Sequence, residues 1–179
     1  MEKLKINPKK ETDKIISFIQ DTFKEKGFNK AIIGISGGID SAVICALLVK
    51  ALGNKNVIGV HMPNNSDNLE NYAILYSMDK DAETIFKIND IPIINIPIEF
   101  MLKTIFKPMQ FLTENDKIRV GNIQARIRMI LLYDLAMGNN ALVVGTGNKT
   151  ELKLGYKELP RKPSMLASGM NWQNNLKNA

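Results

Sequence analysis

The chain has 179 residues and a mass of 20.1 kDa, and its 45% hydrophobic and 23% charged residues are typical of one globular domain, 1–179. It contains no run of the roughly 18 apolar residues that span a bilayer. The first residues, "MEKLKINPKK", lack the apolar stretch of a secretory signal, and the single Cys45 excludes an internal disulfide framework, so we expect a soluble cytoplasmic protein. The net charge of +6 comes from scattered lysines without interleaved aromatics, which favours a solvated surface or a polyphosphate ligand over a nucleic-acid or membrane partner.

The first third of the chain predicts two helices and two strands. Apolar residues recur at helical spacing from Glu11 to Lys26, with a glycine following as a stop. The run "AIIGI" (31–35) predicts a buried strand, and "SAVICALLVKAL" (41–52) predicts a helix that packs on a sheet. The run "NVIGVHM" (56–62) predicts a second strand, which a proline closes.

The rest of the chain continues the alternation of helices and strands. A helix is predicted over 69–87, and "IPIINIPI" (91–98) predicts a strand that its prolines confine to an edge or make short. The segment "VGNIQARIRMILLYDLAM" (120–137) predicts a helix, and "ALVVGTG" (141–147) predicts a buried strand that ends in glycine.

This alternation predicts right-handed crossovers and therefore an α/β fold with a parallel, doubly wound sheet flanked by helices. In such a sheet, ligands bind beyond the carboxyl ends of the strands. Two glycine-rich turns, "GISGGIDS" and "GTGNKTE", follow predicted strands at that edge. We therefore expect the ligand site at these two turns.

The turn "GISGGIDS" is neither a Walker A loop, which ends in Gly-Lys-Ser/Thr, nor the G-x-G-x-x-G dinucleotide fingerprint. Gly37 and Gly38 let backbone N–H groups approach an anion at the start of a helix, and Ser36 and Ser41 add hydroxyl donors. Asp40 would repel that anion, so it is better suited to hold Mg²⁺, which takes oxygen ligands and bridges phosphates. The loop therefore predicts a site for pyrophosphate and its metal. The alternative is a tight strand-to-helix connection in which Asp40 only places a negative charge in the first turn of the helix, near the positive end of its dipole.

The segment "SGGIDS" resembles the pyrophosphate loop of the ATP pyrophosphatases. Within that superfamily, "GNIQARIRMILLYDLA" (121–136) and "VVGTGNKTELKLGY" (143–156) are similar to the NAD⁺ synthetases, so three ordered blocks carry the resemblance. It implies an adenine-nucleotide-hydrolase-like fold, a homodimer, and formation of NAD⁺ from deamido-NAD⁺, ATP and ammonia. Because the chain has no room for a glutaminase domain, it resembles the ammonia-dependent type.

The same resemblance implies roles for individual residues, although it assigns no catalytic residue. Thr146 would contact ATP, Glu151 would join Asp40 as a ligand to Mg²⁺, and Arg126 would contact deamido-NAD⁺. The nicotinate carboxylate would attack the α-phosphate of ATP, and ammonia would then displace AMP from the acyl-adenylate. The ATP phosphates would lie against eight consecutive residues: Gly34, Ile35, Ser36, Gly37, Gly38, Ile39, Asp40 and Ser41.

Several of these residues also have ordinary structural interpretations. Glu151 could be a solvated acid at a helix start, and Arg126 and Arg128 could be surface charges or, for Arg128, an interface pair. His61 ends a predicted strand, where it could pack on adenine or be a satisfied turn histidine. Cys45 lies inside an apolar helix and is expected in the core.

The sequence departs from the family pattern after Tyr156. In the family, this segment supplies a lysine and an aspartate for substrate and ammonia, followed by further ATP contacts. Here "KELPRKPSMLASGMNWQ" follows at once and resembles the family's C-terminal segment, so Lys157, Arg161 and Lys162 receive no role. We therefore predict that a segment is missing after Tyr156.

Two other functions remain open at this stage. One is a non-catalytic, nucleotide-binding remnant of the same fold. The other is a different pyrophosphate-loop adenylating enzyme. A tRNA-modifying member of that group would carry added cysteines or an RNA-binding region, and the sequence shows neither.

Overall fold

The computed structural model describes residues 7–64, 78–108 and 117–147 of the chain. The predictions for Glu151 and for the junction after Tyr156 lie outside these residues, as does the first part of the helix predicted over 69–87. Within them, five α-helices and four strands follow in the order α1 (Pro8–Lys26), β1 (Lys30–Gly34), α2 (Ile39–Leu52), β2 (Val57–His61), α3 (Lys80–Asn89), β3 (Ile93–Asn95), α4 (Glu99–Phe106), α5 (Lys117–Asn139) and β4 (Ala141–Val144).

Helix α1 begins three residues earlier than its apolar periodicity predicted. The side chain of Asn7 accepts a hydrogen bond from the Lys10 N–H group at 3.2 Å and so caps the helix, and Pro8 occupies the first helical position, where no N–H is needed. The helix ends at Gly27, as predicted, with a left-handed backbone (φ 70°).

The structure differs from the predicted elements in two further places, the start of α2 and the presence of a short helix, α4. Helix α2 begins at Ile39 rather than at Ser41, because Gly38 is its N-cap. Helix α4 was not predicted, since its eight residues follow two prolines closely and present little more than two turns of periodicity.

The four strands form one parallel sheet in the order β3-β2-β1-β4, which confirms the predicted parallel α/β fold. Strand β3 is an edge strand, as its prolines predicted. Its pairing with β2 continues beyond Asn95: the Ile96 N–H donates to the His61 carbonyl at 2.9 Å, and the Ile98 N–H donates to the Pro63 carbonyl at 3.0 Å. Pro97, which has no N–H, falls between these two bonds.

Apolar side chains cover both faces of the sheet, as a doubly wound fold requires. Alternate residues of β1 point to opposite faces, so Ile33 packs in one core and Ile32 in the other. The first core also contains residues of α1, α2 and α3: Phe23, Cys45, Leu48, Ala82, Ile85 and Phe86. The second contains residues of α4, α5 and the segment before α4: Ile98, Leu102, Ile127 and Ala136.

Candidate active site

The first glycine-rich turn and the described part of the second, residues 145–147, lie side by side at the carboxyl edge of the sheet, as predicted. Strands β1 and β4 are parallel neighbours, and Ile33 pairs with Val144 at their carboxyl ends. The chain leaves β1 toward one face of the sheet and reaches β4 from the other, so the gap between them is the topological switch point. Ligands of open α/β sheets bind at this point.

Gly37 gives the first turn its shape. Its backbone has φ 81°, a left-handed conformation that side-chain-bearing residues rarely adopt. A Cβ atom at this position would lie 3.2 Å from the Cβ of Asp81 and 3.5 Å from the backbone nitrogen of Ala82. Glycine is therefore required here both by conformation and by the close approach of α3.

The serines of this turn bond to the turn itself. The hydroxyl of Ser41, which is only 2% exposed, donates to the Gly38 carbonyl at 2.8 Å. The Ser36 N–H donates to the Ser41 hydroxyl at 3.4 Å, and the Gly38 N–H donates to the Ser36 hydroxyl at 3.3 Å. Ser41, predicted as a hydroxyl donor to the ligand, is thus used to hold the turn in place, whereas Ser36 lies at the surface.

The remaining residues of the turn divide between core and surface. Ile35 is 2% exposed, and its N–H extends the ladder by donating to the Val60 carbonyl at 2.8 Å, so both its side chain and its N–H are engaged within the protein. Gly34 ends β1 beneath Leu132 and Met62. Ile39 is 74% exposed at the start of α2.

The predicted metal and nucleotide side chains lie close to this edge where the structure describes them. Asp40 is exposed in the first turn of α2, whose N-cap residue, Gly38, has no side chain with which to cap it. Thr146 lies half-buried in the turn after β4. Glu151 is outside the described residues, so its predicted partnership with Asp40 stays a prediction.

The first half of α5 also lies at the carboxyl edge of the sheet. The end of this helix leads directly into the start of β4, so the helix runs from the carboxyl edge back to the amino edge. Leu132 Cδ1 lies 3.5 Å from the Cβ position of Gly34, and one turn earlier Arg128 Nε donates to the Met62 carbonyl at 3.1 Å. Arg126 is exposed on this half of the helix. The interpretation of Arg128 as a surface charge is wrong, because it is half-buried and binds the backbone that follows β2.

His61 is a satisfied, buried histidine rather than an exposed platform for adenine. It is 2% exposed, Nδ1 lies 3.0 Å from Asn95 Oδ1, and Nε2 lies 3.3 Å from Asp79 Oδ2. Both ring nitrogens therefore have protein partners, which settles the alternative that the sequence left open.

Sequence reasoning missed the start of α3 as part of this site. Asp81 and Ala82 approach the glycine turn only because α3 packs beside α2, and no local pattern in the sequence signals that contact. It also missed two buried oxygens near the carboxyl end of the β2–β3 pair. Among the described residues, neither Glu99 Oε2 nor Asn64 Oδ1 has a hydrogen-bond donor.

Two further features bear on which ligands this edge suits. In residues 7–64, 78–108 and 117–147, no three metal-binding side chains (His, Cys, Asp or Glu) come together as a metal cluster. Mg²⁺ does not need one, since it commonly uses one or two carboxylates together with substrate phosphates. No helix in the described part of the chain has the length and apolarity to cross a membrane.

Comparison with known proteins agrees with this geometry. The NAD synthase family model matches residues 11–159. An NH(3)-dependent NAD(+) synthetase of Fusobacterium nucleatum subsp. nucleatum is 42% identical over 158 residues, which are 87% of this chain and 57% of the relative. One of Helicobacter hepaticus is 43% identical over 143 residues, 79% of this chain and 52% of the relative. The chain thus spans about half the length of the curated relatives it matches.

Two solved structures show the same fold. An NH3-dependent NAD synthetase from Campylobacter jejuni superposes with a TM-score of 0.71 at 32% identity, covering 95% of this chain and 75% of that one. An NMN synthetase from Francisella tularensis superposes with a TM-score of 0.72 at 29% identity, covering 86% of this chain and 60% of that one. The family match over most of the chain and the shared fold lead to one conclusion: this chain belongs to the NAD synthase family.

Proposed function

We propose that this chain, as a single domain, forms NAD⁺ from deamido-NAD⁺, ATP and ammonia, as a carbon–nitrogen ligase. One observation carries the proposal: the Ser-Gly-Gly-Ile-Asp-Ser turn lies at the start of α2 and at the topological switch point, in a member of the NAD synthase family. A helix start without a side-chain cap offers N–H groups and a positive dipole end to phosphate.

The proposed reaction has two displacements. A nicotinate carboxylate oxygen attacks the α-phosphorus of ATP, the bond from that phosphorus to the bridging oxygen breaks, and pyrophosphate leaves. Ammonia then attacks the acyl carbon, the bond to the AMP oxygen breaks, and the new amide loses a proton. Negative charge develops on phosphate oxygens in the first step and again as AMP leaves in the second, so preorganised N–H donors are the group best suited to lower these barriers.

The glycine turn is expected to supply those donors. With φ 81° at Gly37 and no Cβ, the backbone can approach an oxyanion closely. The internal bonds of Ser36 and Ser41 fix this shape before ATP arrives, so little reorganisation accompanies binding. Ile39 presents its exposed side chain beside the same turn, where it can shield the phosphates from water.

Asp40 and Glu151 would hold Mg²⁺. Asp40 fits this role because it is an exposed oxygen ligand in the turn next to the phosphate donors, and its charge would otherwise oppose an anion. When bound, Mg²⁺ would neutralise part of the negative charge on the departing pyrophosphate. Thr146, in the turn after β4, would contact ATP across the switch point.

Arg126 would recognise deamido-NAD⁺. It is exposed on the half of α5 that reaches the carboxyl edge, so its guanidinium can meet a second substrate approaching the ATP site. A guanidinium fork suits phosphate or carboxylate oxygens.

A second copy of the chain is the proposed partner. Arg126 shares the exposed side of α5 with apolar residues that a monomer leaves in water: Ile118, Met129, Ile130 and Met137, which are 78%, 40%, 64% and 59% exposed. Burying this side against its own copy would form a homodimer with Arg126 at its border. Sedimentation should show a dimer that dissociates on dilution. A monomer at every concentration would exclude it.

The test of the reaction is to incubate the chain with deamido-NAD⁺, ATP, Mg²⁺ and ¹⁵N-ammonium and to measure products by NMR and mass spectrometry. We expect ¹⁵N in the NAD⁺ carboxamide, with one AMP and one pyrophosphate per NAD⁺, and no turnover without Mg²⁺. ATP binding without NAD⁺ formation would instead favour a nucleotide-binding remnant. Replacing deamido-NAD⁺ by nicotinate mononucleotide tests whether the chain instead has the activity of an NMN synthetase, because one such enzyme shares the fold.

A further inference from the structure

The single histidine of the chain, His61, lies between the carboxyl ends of two strands and the start of a helix. His61 ends β2, and its Nδ1 lies 3.0 Å from Oδ1 of Asn95, the residue with which it pairs in β3. Its Nε2 lies 3.3 Å from Oδ2 of Asp79, the residue before α3. An ionised carboxylate only accepts hydrogen bonds, so Nε2 is the nitrogen that donates to Asp79. Nδ1 faces the Asn95 side-chain amide, which can present its nitrogen as a donor to an Nδ1 that carries no proton.

This contact redirects the N-cap of α3. An aspartate at this position ordinarily accepts a hydrogen bond from an N–H group in the first turn of its own helix. Asp79 makes no such side-chain bond, although its backbone carbonyl begins the helix by accepting from the Glu83 N–H at 2.9 Å. Its carboxylate is directed to His61 instead.

The same helical turn touches the glycine turn of the proposed ATP site. The Cβ position of Gly37 lies 3.2 Å from Asp81 Cβ and 3.5 Å from the Ala82 nitrogen. The N–H of Ala82 is one of the groups that an N-cap carboxylate would bond. If Asp79 capped its own helix, its negative charge would therefore move next to Gly37, where the phosphates are proposed to bind.

We propose that His61 is a positioning residue for the phosphate-binding turn. It acts through Asp79: it holds the start of α3 against Gly37, and it keeps the Asp79 carboxylate away from the bound anion. The inference rests on the proposed binding of ATP at this turn. It also explains why the histidine is fully buried with both nitrogens engaged, which leaves no ring atom to contact a ligand.

Two isosteric variants separate the two contacts of the imidazole. The amide nitrogen of glutamine can take the place of Nε2, so His61→Gln retains a donor to Asp79. The shorter asparagine can replace only Nδ1, so His61→Asn keeps the contact to Asn95 and loses the one to Asp79. By calorimetry, we expect His61→Asn to weaken Mg-ATP binding about tenfold and His61→Gln by no more than about twofold. Binding of deamido-NAD⁺ should change in neither.

The decisive measurement is rescue. Asp79→Ala removes the carboxylate that His61→Asn releases, so the double variant should bind ATP about threefold more tightly than His61→Asn alone. Asp21→Ala, which removes an exposed aspartate of α1, is the matched control and should rescue nothing. A histidine that contacts ATP directly, or that only stabilises the fold, predicts no rescue by Asp79→Ala, and that result would overturn the inference.

The outcomes also distinguish this inference from the proposed function. Wild-type chain that binds no ATP would overturn both the ATP site and the role of His61. Wild-type chain that binds ATP, with His61→Asn binding equally well, would overturn the inference alone. Thermal unfolding of each variant shows whether it is folded, and Asp79→Ala, whose side chain is largely exposed, provides the second folded background.

Discussion

The glycine turn and helix α3 meet at Gly37 and Asp81, where a Cβ atom on the glycine would lie 3.2 Å from that of the aspartate. Gly37 also has φ 81°, so its backbone and its surroundings both exclude a side chain. The contact places the start of α3 at the wall of the proposed phosphate site. It makes the turn sensitive to changes in α3 that are distant in sequence.

Gly37→Ala should therefore impair ATP binding more than folding. The left-handed backbone costs an alanine about 1–2 kcal/mol of unfolding free energy, and relief of the contact with Asp81 would displace the turn. We expect at least a tenfold weaker ATP affinity by calorimetry. Gly27→Ala is the matched control, because Gly27 has φ 70° with nothing within 4 Å, and it should lose similar stability and no affinity. Equal ATP affinity in both variants would contradict this reading of the turn.

Arg126→Ala should weaken deamido-NAD⁺ binding about tenfold or more and leave ATP binding within about twofold, because a charged hydrogen bond to one substrate is lost. Arg126 is exposed, so folding should not change. Separate titrations with each nucleotide measure the two affinities, and Arg119→Ala, another exposed arginine of α5, serves as control. Equal loss for both nucleotides would assign Arg126 a structural role instead.

Gly59→Ala should strongly destabilise the fold. Gly59 is buried in β2, and a Cβ atom there would overlap the ring of Phe86 and lie 3.0 Å from Ile91 Cδ1. Overpacking of this kind costs about 1–3 kcal/mol, which urea denaturation resolves as a lower midpoint at unchanged slope. Adding Phe86→Leu should recover part of the loss because it removes the ring. A double variant less stable than Gly59→Ala alone would show that the clash is relieved elsewhere.

Glu99→Gln should stabilise the protein. Glu99 is only 4% exposed, and within the described ranges its Oε2 has no hydrogen-bond donor, so a neutral amide of the same shape should cost less to bury. We expect the unfolding free energy to rise by about 1 kcal/mol in urea denaturation. Glu83→Gln, on the exposed face of α3 and paired with Lys87, should stay within about 0.5 kcal/mol of wild type. A less stable Glu99→Gln would mean that the carboxylate has a favourable partner.

Cys45 should make stability depend on alkaline pH. Burial in the core raises the pKa of the Cys45 thiol from 9.0 to about 11. Between these values the unfolded chain has released the thiol proton and the folded chain has not, so stability falls as pH rises. Relative to Cys45→Ala, wild type should lose about 2 kcal/mol of unfolding free energy from pH 8.5 to 11. Parallel pH profiles for the two proteins would show that the thiol does not titrate differently on folding.

Local sequence patterns were sufficient to predict the features that depend on residues close together in the chain. Alternating apolar runs and helical periodicities predicted the parallel doubly wound sheet, because each strand and helix carries its own burial pattern. The glycine turn between β1 and α2 and the resemblance of three short blocks predicted the family, because backbone freedom at Gly37 and the charge of Asp40 are properties of the turn itself. The start of α1 was missed by three residues only because its cap, Asn7, lies outside the apolar pattern.

The identity of the distant residues that complete the site became clear from the three-dimensional fold. Whether His61 would face a ligand or the protein depended on Asn95 and Asp79, which lie 34 and 18 residues away in sequence. The contact of half-buried Arg128 with the Met62 carbonyl depended on how α5 packs over β1 and β4. Such contacts follow from the strand order β3-β2-β1-β4 and from the packing of helices on each face. A single sequence carries no local signal for either, because periodicity specifies that a side chain is buried and not which side chain it is buried against.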